Sequence, residues 1–322
     1  MRILIVKLSS LGDLFHALPT VRALKEGLGA EIDWAVQPEY QTLVQHFDDV
    51  QNVICFPRRN LIGEGRKFFH ALRSRCYDYA IDLQGLLKSG IITAAARAGK
   101  TIGPSAAREG TRIFYSAVAG KKNKHRHAVD ELLDVVRFLN LPVPEIPEFA
   151  VTFPAREPLA GKINIALCPC SRAAGKNWPA ERFIETAAAL QKKYAATIHL
   201  IGSAADRDTG EKISGAISGA QNHTGKTSLI ELGSLLKQMN LLITVDSGPM
   251  HMGAAAGIPV LALFGPTSPV RTGPYGRRCR VIESPLLQNS KKISKHTRRN
   301  DMRFIETIPA DEVICAATEM LS

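Results

Sequence analysis

The sequence predicts an α/β protein built from two parallel, doubly wound sheets in tandem. Three observations carry that expectation. Apolar runs of strand length alternate with helix-length segments along the whole chain. Pro142, Pro144, Pro147, Pro154 and Pro158 crowd one interval that no helix survives, and the alternation restarts after it. Residues 241–269, LLITVDSGPMHMGAAAGIPVLALFGPTSP, read as strand, Gly-containing turn, small-residue helix and strand, a βαβ unit buried on both faces. Residues 1–154 therefore form a first domain, 155–305 a second, and 306–322 a C-terminal helix expected to pack back toward the first. Tandem halves of this kind leave a cleft between them, with ligands bound beyond the carboxyl ends of the strands.

The elements follow in order. Residues 3–8 make a buried strand, 9–13 a turn, and a helix runs to about Gly27, kinking or restarting at Pro19. Strands are expected over 31–36, 52–56 and 79–83 and near Thr101, with helices over 67–74, 86–98 and 128–139. Beyond the prolines come a strand at 163–168, a helix at 179–193 and a strand at 197–201. Helices at 206–217 and 228–239 lead into the 241–269 unit. There Pro249 suits a first helical turn, where a missing N–H costs nothing, and Gly257 suits the position just past a helix end. Gly253 and Ala254 to Ala256 are expected to let that helix lie close on the sheet. Residues 285–301 are polar, basic and aperiodic, hence a loop, and 309–320 a helix with Asp311 and Glu312 in its first turn.

A chain of 322 residues with 45% apolar content is long enough for two cores, and no apolar run approaches the length of a membrane span. The first residues resemble a signal sequence only superficially, because Lys7 and Asp13 interrupt a run of strand length. The cysteines are scattered, Cys168-Pro-Cys170 is too tight for the usual metal pair, and reduced thiols in a cytoplasmic protein are expected. The net charge of +11 calls for an anionic partner. It is concentrated at Arg58, Arg59, Arg66 and Lys67, at Lys121 to His127, and from Arg277 through Lys291, Lys292, Lys295, Arg298 and Arg299 to Arg303. Any one of these clusters could equally be a solvated face.

Four turns carry chemistry. Ser247 and Gly248 put backbone N–H groups at a helix N-terminus on a sheet edge, a ready phosphate site, although an ordinary tight turn would look the same. Asp246 adds negative charge there, which suits a sugar hydroxyl or a helix cap better than an anion, and His251 reads as a buried core histidine. In KLSSLGD, Asp13 is either a general base or a helix N-terminal aspartate. In SRAAGKNWP, Ser171, Arg172 and Lys176 can surround a diphosphate, or the segment is a solvated loop with Trp178 pinned on the surface. In IGSAAD, Asp206 can bond a ribose diol or simply open a helix.

KLSSLGDLFHALP, SRAAGKNWP, IGSAADRD, TGKTSL and VDSGPMHMGAAAGIPVLALFGPTSP occur together and in that order. In combination they resemble the bacterial lipopolysaccharide heptosyltransferases of glycosyltransferase family 9, and the LSSLGDLFHALP start is most similar to the heptosyltransferase I branch. The resemblance implies a GT-B fold, two Rossmann-like domains with parallel sheets facing a central cleft, acceptor on the first and nucleotide sugar on the second. It implies ADP-heptose as co-substrate, inversion at the anomeric carbon, no further cofactor and no metal. It implies Asp13 as base. Ser171, Arg172, Lys176, Asp206, Thr227, Asp246, Ser247, Gly248 and His251 then hold the donor, and Ser10, Gly12, Arg58, Arg59, Arg66, Lys67, Lys88 and Arg108 the acceptor.

The implied acceptor is Kdo-lipid A, whose phosphates and carboxylates suit the basic clusters. The implied location is the cytoplasmic face of the inner membrane, on its anionic leaflet. Two rivals remain at this stage. One is a family member with a heptosyltransferase II-like acceptor or another nucleotide sugar. The other, a nucleic-acid binder, predicts aromatics interleaved with the basic clusters, and Phe68 and Phe69 are the only hint, so no nucleic-acid partner is expected. Cysteines that many family members carry before the last helix are absent from residues 285–305.

Overall fold

The computed structural model describes residues 1–123, 125–287 and 300–322. The chain divides into two compact units, Met1–Thr152 and Phe153–Ser322, and the boundary falls inside the proline-crowded interval. Lys124 and the lysines and arginines expected in the 285–301 loop, Lys291, Lys292, Lys295, Arg298 and Arg299, lie outside the described residues.

The first unit is a six-stranded parallel sheet. Its strands are β1 (Arg2–Val6), β2 (Glu31–Val36), β3 (Val50–Cys55), β4 (Tyr77–Asp82), β5 (Ala98–Pro104) and β6 (Ala117–Ala119), in the order β3-β2-β1-β4-β5-β6. β1 is central and fully buried because ILIV needs apolar cover on both faces. Leu4 and Val6 pack with Ile54, Phe68, Leu72 and Ile92 from the flanking elements.

The second unit repeats the plan with β7 (Asn164–Cys168), β8 (Thr197–Leu200), β9 (Gln221–Asn222), β10 (Leu241–Val245), β11 (Val260–Phe264) and β12 (Cys279–Glu283). The order is β12-β11-β10-β7-β8-β9, again all parallel. Its core joins Ile165, Leu167, Ile243, Leu261 and Leu263 to Phe183 and Leu190 of the Ala180–Tyr194 helix.

Several expectations need correction. Pro19 does not divide its helix, which runs unbroken from Leu11 to Leu28 and ends at Gly29, a left-handed residue with φ +56°. The proline removes one backbone bond, while ten other residues of the helix are buried and hold it. The 128–139 segment is two short helices, Ala128–Leu132 and Asp134–Phe138, joined at Leu133. Trp178 is not on the surface. It is 3% exposed, stacks edge-on against Phe183 at 4.9 Å, and donates from Nε1 to the Ile308 carbonyl at 3.0 Å.

The last helix runs from Ala310 to Leu321. Val313, Ala316 and Ala317 lie in the second unit's own core, against the Ala180–Tyr194 helix and β10. In the Gly248–Ala255 helix, Gly253 makes the close approach expected of it, since an added Cβ would sit 2.7 Å from Leu242. Ala254 to Ala256 are half-buried. Gly257 takes φ +76° just past the helix end, as its place in the sequence predicts.

Candidate functional site

In a doubly wound sheet, the loops beyond the two strands where the winding reverses splay apart and leave room for a ligand. That point lies between β1 and β4 in the first unit and between β7 and β10 in the second. Some of the residues singled out in the sequence lie at these two places, and the others follow the neighbouring strands.

In the first unit, the loop after β1 is bonded to the loop after β4. Lys7 is 5% exposed, and its Nζ donates to the Leu83 carbonyl at 2.7 Å. Gln84 Oε1 accepts from Leu8 N at 3.1 Å and Ser9 N at 3.2 Å. Gln84 is itself fixed by Asp82, whose Oδ1 accepts from Gln84 N at 2.7 Å and Gly85 N at 2.9 Å, while the Tyr115 hydroxyl donates to Oδ2 at 2.7 Å. Burial raises the Asp82 carboxyl above the usual carboxylate range, and these donors oppose the rise.

The loop so held presents Ser10 and Asp13 at the N-terminus of the Leu11–Leu28 helix. Asp13 Oδ2 accepts from Ser10 N at 3.0 Å and Ser10 Oγ at 2.7 Å, a reciprocal cap. Asp13 therefore has the plain structural role foreseen for it, and is half-buried. Ser10 is exposed, and Gly12 is buried in the first turn.

The cations expected to meet the acceptor form two groups in this unit. Arg58 and Arg59 follow β3 and, with Pro38, Glu39, Asn60 and Glu64, line a cavity of about 320 Å³. A neighbouring cavity of about 410 Å³ shares Pro57 and Glu64 and is lined by Lys67 and Phe68. Arg66 is exposed on the same Leu61–Arg73 helix. Lys88 and Arg108 are exposed and brought together by the backbone. Arg108 N donates to the Gly85 carbonyl at 2.9 Å, and Leu87 N to Glu109 Oε2 at 2.8 Å.

In the second unit, the loops after β7 and β10 meet in an ion pair. Lys176 Nζ lies 2.5 Å from Asp246 Oδ2, both side chains almost fully buried, and Thr267 Oγ1 donates to the same oxygen at 2.7 Å. Asp246 is therefore no helix cap. Its charge, awkward beside an anion site, is answered by a lysine seventy residues earlier. Ser171 N donates to Asn177 Oδ1 at 2.7 Å, which shapes the loop that carries Lys176. Arg172 is exposed at its rim.

Ser247 occupies the cap position of the Gly248–Ala255 helix without capping it by its side chain. Its hydroxyl lies instead 3.1 Å from Thr244 Oγ1 and 3.6 Å from Cys168 Sγ. The first-turn N–H groups thus make no bond to the Ser247 hydroxyl. Burial pushes the Cys168 and Cys170 thiols up to about 11, so both stay neutral and add no anionic charge. His251 is 7% exposed, as a core histidine should be.

One strand over, Asp206 repeats the Asp13 device. Its Oδ2 accepts from Ser203 N and Ser203 Oγ, each at 2.7 Å. Gly225 N donates to the Gly202 carbonyl at 3.0 Å, which ties the TGKTSL loop to this turn. An added Cβ on Gly225 would meet Ala204 Cα at 2.8 Å. Thr227, half-buried, precedes Ser228, the cap of the Leu229–Leu236 helix. Sequence reasoning missed Gln84, Asn177 and Thr267. Each fixes a loop that carries residues already singled out, and Asn177 and Thr267 lie inside the SRAAGKNWP and GPTSP runs.

Comparison with known proteins agrees with this geometry. The family model described as glycosyltransferase family 9 (heptosyltransferase) matches residues 65–302, well over half of the chain. Lipopolysaccharide heptosyltransferase 1 of Pseudomonas aeruginosa is 31% identical over 86% of this chain and 82% of its own length. Lipopolysaccharide heptosyltransferase 2 of Escherichia coli is 28% identical over 92% of this chain and 91% of its own. The solved structure of E. coli heptosyltransferase WaaC with ADP superposes with a TM-score of 0.84 at 25% identity, covering 99% of this chain and all of that one. Two Rossmann-like units in tandem, with the KLSSLGD, SRAAGKNWP and VDSGP motifs at the winding reversals, make the chain a GT-B protein and a member of glycosyltransferase family 9, the heptosyltransferases.

Proposed function

We propose that this enzyme moves L-glycero-D-manno-heptose from ADP-heptose to the Kdo region of the lipopolysaccharide inner core, with inversion. The observation that carries the proposal is the Lys176–Asp246 pair at the second unit's winding reversal, beside the uncapped helix at Ser247. A dianionic diphosphate needs cations and N–H donors, and the sugar needs an acceptor for its hydroxyls. This junction supplies all three. A solved E. coli relative carries ADP-2-deoxy-2-fluoro heptose, a donor analogue, and has a TM-score of 0.81 to this chain at 25% identity.

In this reading, Lys176, Arg172, Ser171 and the N–H groups at Ser247 and Gly248 hold the diphosphate. Asp206 and Thr227 serve the ribose side, and Asp246 and His251 face the sugar. An acceptor hydroxyl attacks the anomeric carbon. The new C–O bond forms as the bond to the β-phosphate oxygen breaks, and that electron pair leaves with ADP. Asp13 takes the hydroxyl proton, and the Ser10 donors that hold its Oδ2 orient it for the transfer. Charge growing on the leaving phosphate is met by Lys176 and Arg172, with no role assigned to a metal. Ser10, Gly12, Arg58, Arg59, Arg66, Lys67, Lys88 and Arg108 receive the acceptor's phosphates and carboxylates. The acceptor is membrane-anchored, so the enzyme works as a peripheral protein on the cytoplasmic leaflet.

Product analysis with ADP-heptose and Kdo-lipid A, chelator present, tests the assignment. A heptosylated product and free ADP are expected. Transfer only to an acceptor that already bears heptose would move the enzyme to the heptosyltransferase II type. The Asp13→Asn variant should keep calorimetric ADP affinity and lose turnover by roughly 10³-fold. Turnover within a few-fold of wild type would remove Asp13 from the base role.

A further inference from the structure

Isolated aliphatic residues on a protein surface need no explanation, but several on adjacent elements do. Ile62 is 103% exposed and Ile113 is 83% exposed, with Leu61, Leu87 and Ile91 each more than two-fifths exposed. They belong to three neighbouring elements of the first unit. The Leu61–Arg73 helix packs against the Leu87–Ala95 helix, which packs in turn against the Thr111–Phe114 turn. Leu87 and Ile91 share a helix face by their spacing of four. Leu61 and Ile62 open a helix whose buried side is Phe68 and Leu72.

The charge around these residues is mostly positive. Arg58, Arg59, Arg66, Lys67, Lys88 and Arg108 are exposed on the same elements or next to them, and none takes part in a described ion pair. The nearby acids are Glu39, Glu64 and Glu109, and the latter two accept from Asn60 Nδ2 and Leu87 N respectively. Uncovered aliphatics ringed by unpaired cations match a bilayer whose headgroups are anionic and whose acyl chains begin a few ångströms below.

We infer that this face, centred on Ile62 and Ile113, docks the enzyme on an anionic bilayer. The aliphatic side chains enter the boundary between headgroup and acyl chain, and the cations meet lipid phosphates. The inference deepens the membrane-bound acceptor reading and rests on it for its purpose. The docking itself can be measured without any transfer.

The test is co-sedimentation with vesicles of phosphatidylglycerol and phosphatidylcholine, compared with phosphatidylcholine alone. Wild type should bind the anionic vesicles and lose at least tenfold in partitioning on neutral vesicles or in molar salt. Ile62→Ser and Ile113→Ser should each lower partitioning by about tenfold, with the melting temperature unchanged because neither side chain is packed. The double variant should turn over a water-soluble, deacylated acceptor as wild type does and fail with the same acceptor embedded in vesicles. Wild type that ignores anionic vesicles, or a double variant that binds them fully, would overturn the inference. Equal loss on both acceptors would also overturn it, since the residues would then belong to the reaction site. Absence of transfer to any acceptor, with vesicle binding intact, would sink the heptosyltransferase reading and leave the docking surface standing.

Discussion

Replacing Lys176 with methionine separates its pairing with Asp246 from the phosphate contact proposed for it. The pair with Asp246 is almost fully buried, so the variant leaves a carboxylate with Thr267 as its remaining named donor. Breaking a buried pair by deleting one partner costs about 3–5 kcal/mol, because the other charge stays desolvated. At roughly 2–4 °C per kcal/mol for a unit of this size, Lys176→Met should lower the melting temperature by about 10 °C. Asp246→Asn, which strands the ammonium, should fall by a similar amount. The double variant Lys176→Met, Asp246→Leu removes both charges together and should melt within a few degrees of wild type. Nucleotide binding should not follow the same pattern. A ligand at a hundred times its Kd stabilises by about 2.7 kcal/mol, so saturating ADP should raise the wild-type transition by several degrees. In both variants that lack Lys176 this rise should vanish, including the restabilised double. Differential scanning calorimetry with and without ADP reads both quantities. A single variant that melts like wild type would refute the burial argument, and a double variant that keeps its ADP shift would refute the phosphate assignment.

Two further predictions concern residues away from that pair. Gln84→Leu strips the acceptor from Leu8 N and Ser9 N, so kcat should fall about 10–100-fold while KM for ADP-heptose holds. Gln84→Glu, which still accepts both bonds, should recover most of the rate, and steady-state kinetics of the two variants decides. His199 is fully buried, bonded through Nδ1 to His223 at 3.2 Å and through Nε2 to Asn164 at 2.9 Å, and burial pushes it down to about 4 from 6.5. Folding therefore favours the neutral ring. The associated stability is present above pH 6.5 and fades as pH falls toward 4, by about 3 kcal/mol, in a loss shared with His223. Denaturant midpoints from pH 7 to 4 should show the decline, and His199→Gln should flatten it.

The central strands were legible because burial on both faces forces continuous apolar runs, and β1, β7, β10 and β11 have them. The edge strands were not. Ala117–Ala119 and Gln221–Asn222 are too short for any period, and Cys279–Glu283 carries Arg280 and Glu283 and reads as the start of a basic loop. Motif spacing located both winding reversals, because a glycine turn between strand and helix is a local event. It could not reveal what crosses between loops. Asp246 looked misplaced until Lys176 was found against it, and Gln84 carried no mark of its bonds to Leu8 and Ser9, which lie some 75 residues away. The alternative that left Trp178 on the surface fails for the same reason, since its partner at Ile308 is 130 residues distant.

That last tie has a bearing on genetics. Trp178 stands two residues from Lys176, and its indole is bolted to the Ile308 carbonyl, which also accepts from Arg182. Ile305, Ile308 and Val313 complete the floor beneath it. A substitution at any of these three positions would loosen the loop that carries Lys176 without touching substrate. A screen that scores only complementation would mark them as catalytic, and a measurement of protein abundance beside it would show them to be foundations.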